Sequence, residues 1–65
     1  MVNYKLKSIL TLKNMSIKDL SKKVGISYNQ LLRKINGISE FRPKEIKKIK
    51  ETLNLSDIEI IEFFL

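Results

Sequence analysis

The sequence predicts an all-α domain of five short helices. Three observations carry that expectation: a helix-start pattern that occurs three times, apolar residues at spacings of three, four and seven, and no stretch alternating apolar with polar residues as a strand does. The first helix is expected over residues 2 to 13, where Leu6, Ile9 and Leu10 share a face, Lys5, Lys7 and Lys13 interleave, and Asn14 stops the run. Three helix starts follow a single scheme: an apolar residue, Ser, two residues, then Asp, Gln or Glu and another apolar residue. They are Met15-Ser16-Ile17-Lys18-Asp19-Leu20, Ile26-Ser27-Tyr28-Asn29-Gln30-Leu31 and Leu55-Ser56-Asp57-Ile58-Glu59-Ile60. In each, the Ser hydroxyl can accept a first-turn N–H, the residue three positions on can answer it, and the flanking apolar pair can close over both. Asp is a weaker partner than Glu or Gln, so the first box is the weakest of the three.

The second helix, from Ser16 to Val24, has room for only about two turns before Gly25 ends it in left-handed geometry. Gly25 and Ile26 alone then precede the Ser27 cap, so the second and third helices must cross steeply, as in a helix-turn-helix. The third helix runs to Ile35 and stops at Asn36-Gly37. Pro43 fits the first position of a fourth helix with Ile46, Ile49 and Leu53 at i, i+3 and i+7, and Asn54 and Leu55 lead into a fifth from Ser56.

With 65 residues the chain buries only about 60% of its unfolded surface, which favours a binding module over an enclosed catalytic pocket. It lacks His, Cys and Trp, so thiolate and imidazole chemistry, disulfides and ordinary structural zinc sites are excluded, and neither a metal nor a cofactor is expected. No apolar stretch approaches the roughly 20 residues needed to span a bilayer and no signal-peptide pattern opens the chain, so a cytoplasmic protein without membrane contact is expected. The charge is polarised. Residues 1 to 50 hold thirteen bases and three acids (Asp19, Glu40, Glu45), a net of +10, whereas residues 51 to 65 hold four acids and no base, a net of −4. One part of the molecule should attract a polyanion and another should turn away from it. Lys makes up 11 of the 13 bases, as an AT-rich coding sequence alone would favour, but that bias does not explain the polarity.

At 100° per residue, Leu31 and Ile35 lie about 40° apart on the third helix, with Asn29, Gln30 and Arg33 on the opposite face. The apolar seam grips the domain and the other face is free to read a partner. The major groove of B-DNA admits an α-helix, and the paired hydrogen-bonding groups of Asn and Arg match adenine and guanine edges. Lys18, Lys22, Lys23, Lys34, Arg42 and Lys44 lie around this helix in number sufficient to neutralise several phosphates, and the N–H groups opening the second helix suit another. Gln30 is assigned to capping because its box partner Ser27 competes for it. Tyr28 has two readings, DNA contact and packing at the domain edge. Phe41 is expected in the core, and Lys47, Lys48 and Lys50 on a solvated face.

From Met15 to Gly37 the chain resembles the Cro and phage-repressor (lambda-repressor-like, XRE-type) helix-turn-helix family. The resemblance is carried by Ser16, Leu20, Val24-Gly25-Ile26-Ser27, Leu31 and Asn36-Gly37, and the five-helix plan extends it over all 65 residues. It implies a single lambda-repressor-like DNA-binding domain over 1–65, with its helix-turn-helix core at 16–36. It implies base or adjacent phosphate contacts from Ser27, Tyr28, Asn29 and Arg33, and places Ile17, Asn36 and the loop through Arg42 along the sugar-phosphate backbone. Lys18, Lys34 and Lys44 join that backbone set by charge. There are two departures from the family pattern. Ile17 stands where Gln is frequent, leaving only a backbone N–H for contact, and the second apolar anchor is Ile35 instead of the residue before it, which implies a slightly rolled recognition helix. The family implies a transcriptional regulator, a repressor of phage or mobile-element type that occupies an operator and excludes polymerase.

Apolar residues on the fifth helix cover about 220° of arc, well beyond the roughly 100° stripe a core needs. A homodimer is therefore expected on an inverted-repeat operator, through Phe63, Phe64 and Leu65 and their neighbours. The competing explanation is that a further region of a longer regulator covers this patch. At the level of function the rival is a protein-binding module, such as an antitoxin or adaptor, that uses the same apolar helix.

Overall fold

The computed structural model describes residues 2–64, which form α1 (Tyr4–Leu12), α2 (Ile17–Val24), α3 (Tyr28–Ile35), α4 (Pro43–Leu53) and α5 (Asp57–Phe64). All three Ser boxes close reciprocally. The hydroxyls of Ser16, Ser27 and Ser56 accept the N–H of Asp19, Gln30 and Glu59 at 3.0, 3.1 and 3.2 Å, and the three side chains accept the serine N–H groups at 3.4, 3.2 and 3.0 Å. The longest return bond belongs to Asp19, whose shorter side chain reaches back least well. Before each Ser stand a left-handed residue and an apolar one. Asn14, Gly25 and Asn54 have φ of 55°, 85° and 54°, and the N–H groups of Met15, Ile26 and Leu55 donate to the carbonyls of Leu10, Ser21 and Lys50. The residue ending one helix thus aims the next apolar side chain into the core and hands over directly to a cap.

The first helix starts two residues later than the sequence suggests. Asn3 takes the cap position instead, its Oδ1 accepting the Leu6 N–H at 3.0 Å. Asn3 also donates from its backbone to the Ile35 carbonyl at 2.7 Å and from its side-chain amide to the Phe63 carbonyl at 2.7 Å. One residue therefore ties the start of α1 to the ends of α3 and α5.

Leu6 and Leu10 of α1, Leu20 of α2, Leu31 and Ile35 of α3, Ile49 and Leu53 of α4, and Leu55 before α5 form the buried core. The helix α2 packs on α3 and α4, and α1 packs on α3 and α5. Held from both sides, α3 is fixed at the domain surface by its Leu31–Ile35 seam. Among the described residues no strand occurs, no helix is long and apolar enough to cross a membrane, and no buried side-chain nitrogen or oxygen lacks a partner.

Candidate nucleic-acid interface

With Leu31 and Ile35 fully buried beneath α3, Tyr28, Asn29, Gln30 and Arg33 are exposed on the remaining surface, next to the exposed cap Ser27. Gln30 is occupied by the capping box. Asn29 and Arg33 lie one turn apart, and among the described residues neither side chain has a hydrogen-bond partner, so their donor and acceptor groups face outward from the helix surface. Ser27 accepts through Oγ and retains its hydroxyl hydrogen. Tyr28 is exposed on the same helix.

Gly25, Ile26 and Ser27 connect the C-terminus of α2 to the N-terminus of α3, and the two helices pack on each other. The side chain of Ile17 packs half-buried against the core, which leaves its backbone N–H, with that of Lys18, ahead of the capped Asp19 N–H. The Ser16 hydroxyl and N–H hold the Asp19 carboxyl below its ordinary value, and Lys22 and Lys23 add to that shift. Lys18, Lys22 and Lys23 are all exposed and offset the carboxylate.

Beyond α3, Asn36 is half-buried, Gly37 is left-handed at φ 81°, and the chain continues to exposed Arg42, which precedes α4, and exposed Lys44. The Arg33 carbonyl accepts the N–H groups of Ile38 and Ser39 at 2.9 and 3.3 Å, which fastens this loop to the end of α3.

Lys34, expected along the DNA backbone, has a partner within the domain. It does not stand free toward phosphate: its Nζ donates to both carboxylate oxygens of Glu45 at 2.5 Å, and both side chains are only 12% exposed. Partial burial pushes the Glu45 carboxyl up, but the Arg42 N–H and the Lys34 ammonium together bring it below its ordinary value. Charge counting along the sequence could not reveal this pairing, although the position of Glu45 three residues after Arg42, with Pro43 opening the helix, is itself a first-turn signature.

Two of the three residues expected to form a dimer patch contribute to the packing of the domain itself. Phe63 and Phe64 pack half-buried against the core, and Phe64 meets Phe41 edge-to-face with ring centroids 5.0 Å apart. Leu65 lies outside the described residues. The apolar side chains that α5 leaves in solvent are Ile58 and Ile61, 68% and 56% exposed, while Tyr4 and Leu12 of α1 are 68% and 81% exposed. An arc count on α5 found the excess of apolar surface but not which residues the core would take. Phe41 is in the expected core position, and Lys47 and Lys48 are solvated, whereas Lys50 is half-buried and paired with Asp57.

An open depression of about 450 Å³ is bounded by Asn3, Lys34, Phe41, Ile46, Phe63 and Phe64, among others. Among the described residues no group of three or more Asp and Glu is placed to hold a metal ion.

A surface helix fastened behind by Leu31 and Ile35, with Asn29 and Arg33 exposed on it, is matched by comparison with known families: the model of the Cro/C1-type HTH DNA-binding domain covers residues 5–64. The chain belongs to this Cro/C1-type family. No curated protein and no solved structure matches it. The family match extends over α1 to α5, well beyond the 16–36 core that carries the sequence resemblance. As a Cro/C1-type domain the chain is a DNA-binding regulator in general character, which points away from an enzyme.

Proposed function

We propose that this Cro/C1-type chain is a sequence-specific double-stranded-DNA-binding transcriptional regulator, a single 1–65 domain acting in the cytoplasm as a repressor of phage or mobile-element type. It acts by occupying an operator and excluding polymerase. The observation that carries this reading is the division of α3 into a fully buried Leu31–Ile35 seam and an exposed Asn29–Arg33 face. In this reading Arg33 and Asn29 contact base edges, Ser27 and Tyr28 contact bases or adjacent phosphates, and Lys18, Arg42, Lys44, Asn36 and the Ile17 N–H hold the backbone. Lys34 has no direct role because Glu45 holds it.

The regulator acts as a homodimer on an inverted repeat. Its interface uses the exposed apolar side chains of α1 and α5, Leu12, Ile58 and Ile61 among them, in place of Phe63 and Phe64. The same exposed side chains support the rival reading, a protein-binding module such as an antitoxin or adaptor. Selection of binding sites from a random duplex pool tests the proposal: recovery of an inverted repeat, bound with affinity that falls steeply between about 50 and 200 mM salt, is the expected result. Recovery of no preferred sequence, together with salt-independent capture of a protein, would favour the rival.

A further inference from the structure

The Glu45 carboxylate joins the end of the recognition helix to the start of α4. Its Oε1 accepts the Arg42 N–H at 2.9 Å while both of its oxygens hold Lys34 Nζ at 2.5 Å. Lys34 follows Arg33 directly in the last turn of α3. Between the two ends, the Ile38 and Ser39 N–H groups donate to the Arg33 carbonyl and the Gly37 N–H donates to the Lys34 carbonyl at 3.2 Å. The segment from Arg33, on the base-facing side, to Arg42, on the phosphate-facing side, is thus closed into a loop pinned at both ends.

Charge makes the position of Glu45 informative. Residues 1 to 50 hold only three acids, of which Asp19 serves the α2 box and Glu40 is exposed in the loop. A carboxylate close to a surface that binds a polyanion weakens the attraction. Its presence there calls for a geometric reason, and the double tether supplies one.

We propose that Glu45 is a positioning residue for base readout: by gripping Lys34 of α3 and the N–H of Arg42, the residue that caps α4, it sets the orientation of Arg33 relative to Arg42 without touching DNA itself. The inference rests on the recognition-helix reading above. Base contacts require side chains held to within about 0.5 Å, whereas flexible lysines reach phosphates from many positions. Loss of the tether therefore lowers specific binding selectively, and removal of a negative charge leaves non-specific binding unchanged or stronger.

The test uses the full chain as wild type, Glu45→Gln, Lys34→Met and Lys34→Arg, each folded by circular dichroism at the temperature used. Each is titrated at one salt concentration with the duplex recovered by selection and with a scrambled duplex. The readout is the ratio of the two affinities, in which any loss of folded fraction cancels. Glu45→Gln and Lys34→Met are expected to lower the ratio by about fivefold or more, the scale of one bidentate base contact, while Lys34→Arg stays near wild type. A ratio within about twofold of wild type in either of the first two variants would overturn the proposal, since one such contact is worth more than that. Should Glu45→Gln not fold, the Lys34→Met and Lys34→Arg pair decides alone. A wild type with no preference for any duplex would overturn the recognition-helix reading itself, an outcome distinct from an unchanged ratio.

Discussion

Leu31 has no exposed surface and sits where α3 meets the rest of the core, so nothing can collapse into its place without shifting the reading helix. Leu31→Ala is expected to cost about 2–5 kcal/mol, most of the stability of a domain this small, and urea unfolding monitored by circular dichroism reads it directly. Asn3 illustrates a residue whose weight exceeds what its type suggests. As an exposed cap it would contribute about 1 kcal/mol, but its side-chain amide also donates to the Phe63 carbonyl. Asn3→Ala is expected to cost about 2 kcal/mol, against about 1 for Ser16→Ala at an ordinary exposed cap. Equal midpoint shifts in the two variants would mean that the bond to α5 contributes nothing. The apolar residues 60 positions further on gave no local hint of that bond, which is why Asn3 was not legible in the sequence.

Each helix start that was legible in the sequence is satisfied within four residues: Ser16 by Asp19, Ser27 by Gln30, Ser56 by Glu59. The Leu31–Ile35 seam is legible for the same reason, since both residues lie on one helix and its period alone aligns them. What remained hidden depends on contacts between elements. Lys34 counts as a cation until α4 brings Glu45 to it, and Phe63 and Phe64 count as surplus apolar area until Phe41 and the core take them up. The α3–α4 tether should show in acid. Because the folded Glu45 carboxyl titrates below its ordinary 4.5, its contribution is complete above that pH and is lost as pH falls through the lower folded value. Glu45→Gln should therefore be less stable than wild type near pH 7, and the gap should narrow below about pH 4.5 in denaturant titrations across pH. A gap that stays constant down to pH 3 would show that the charge on Glu45 does not matter for the tether.

Across the whole molecule, all thirteen bases lie on α1 to α4 and their connections, whereas three of the four acids of residues 51 to 65 (Asp57, Glu59 and Glu62) lie on α5. This polarity orients the domain on a polyanion before any base is read. Its constituents are not equivalent. Lys18→Ala and Arg42→Ala should each flatten the dependence of log affinity on log salt by roughly 0.9, whereas Lys34→Ala should leave that slope unchanged and lower fold stability by about 1–3 kcal/mol, because it strands a mostly covered carboxylate. A flattened slope in Lys34→Ala would mean that the ion pair opens on DNA. The most direct measurement of base reading by α3 is the affinity of wild type and Arg33→Ala for the selected duplex and for every single-base-pair variant of it. Wild type should discriminate at the position Arg33 reads, and Arg33→Ala should lose about 1–3 kcal/mol on the preferred duplex and become indifferent there while keeping its preferences elsewhere. An Arg33→Ala profile identical to wild type at every position would contradict the assignment of α3 as the base-reading helix.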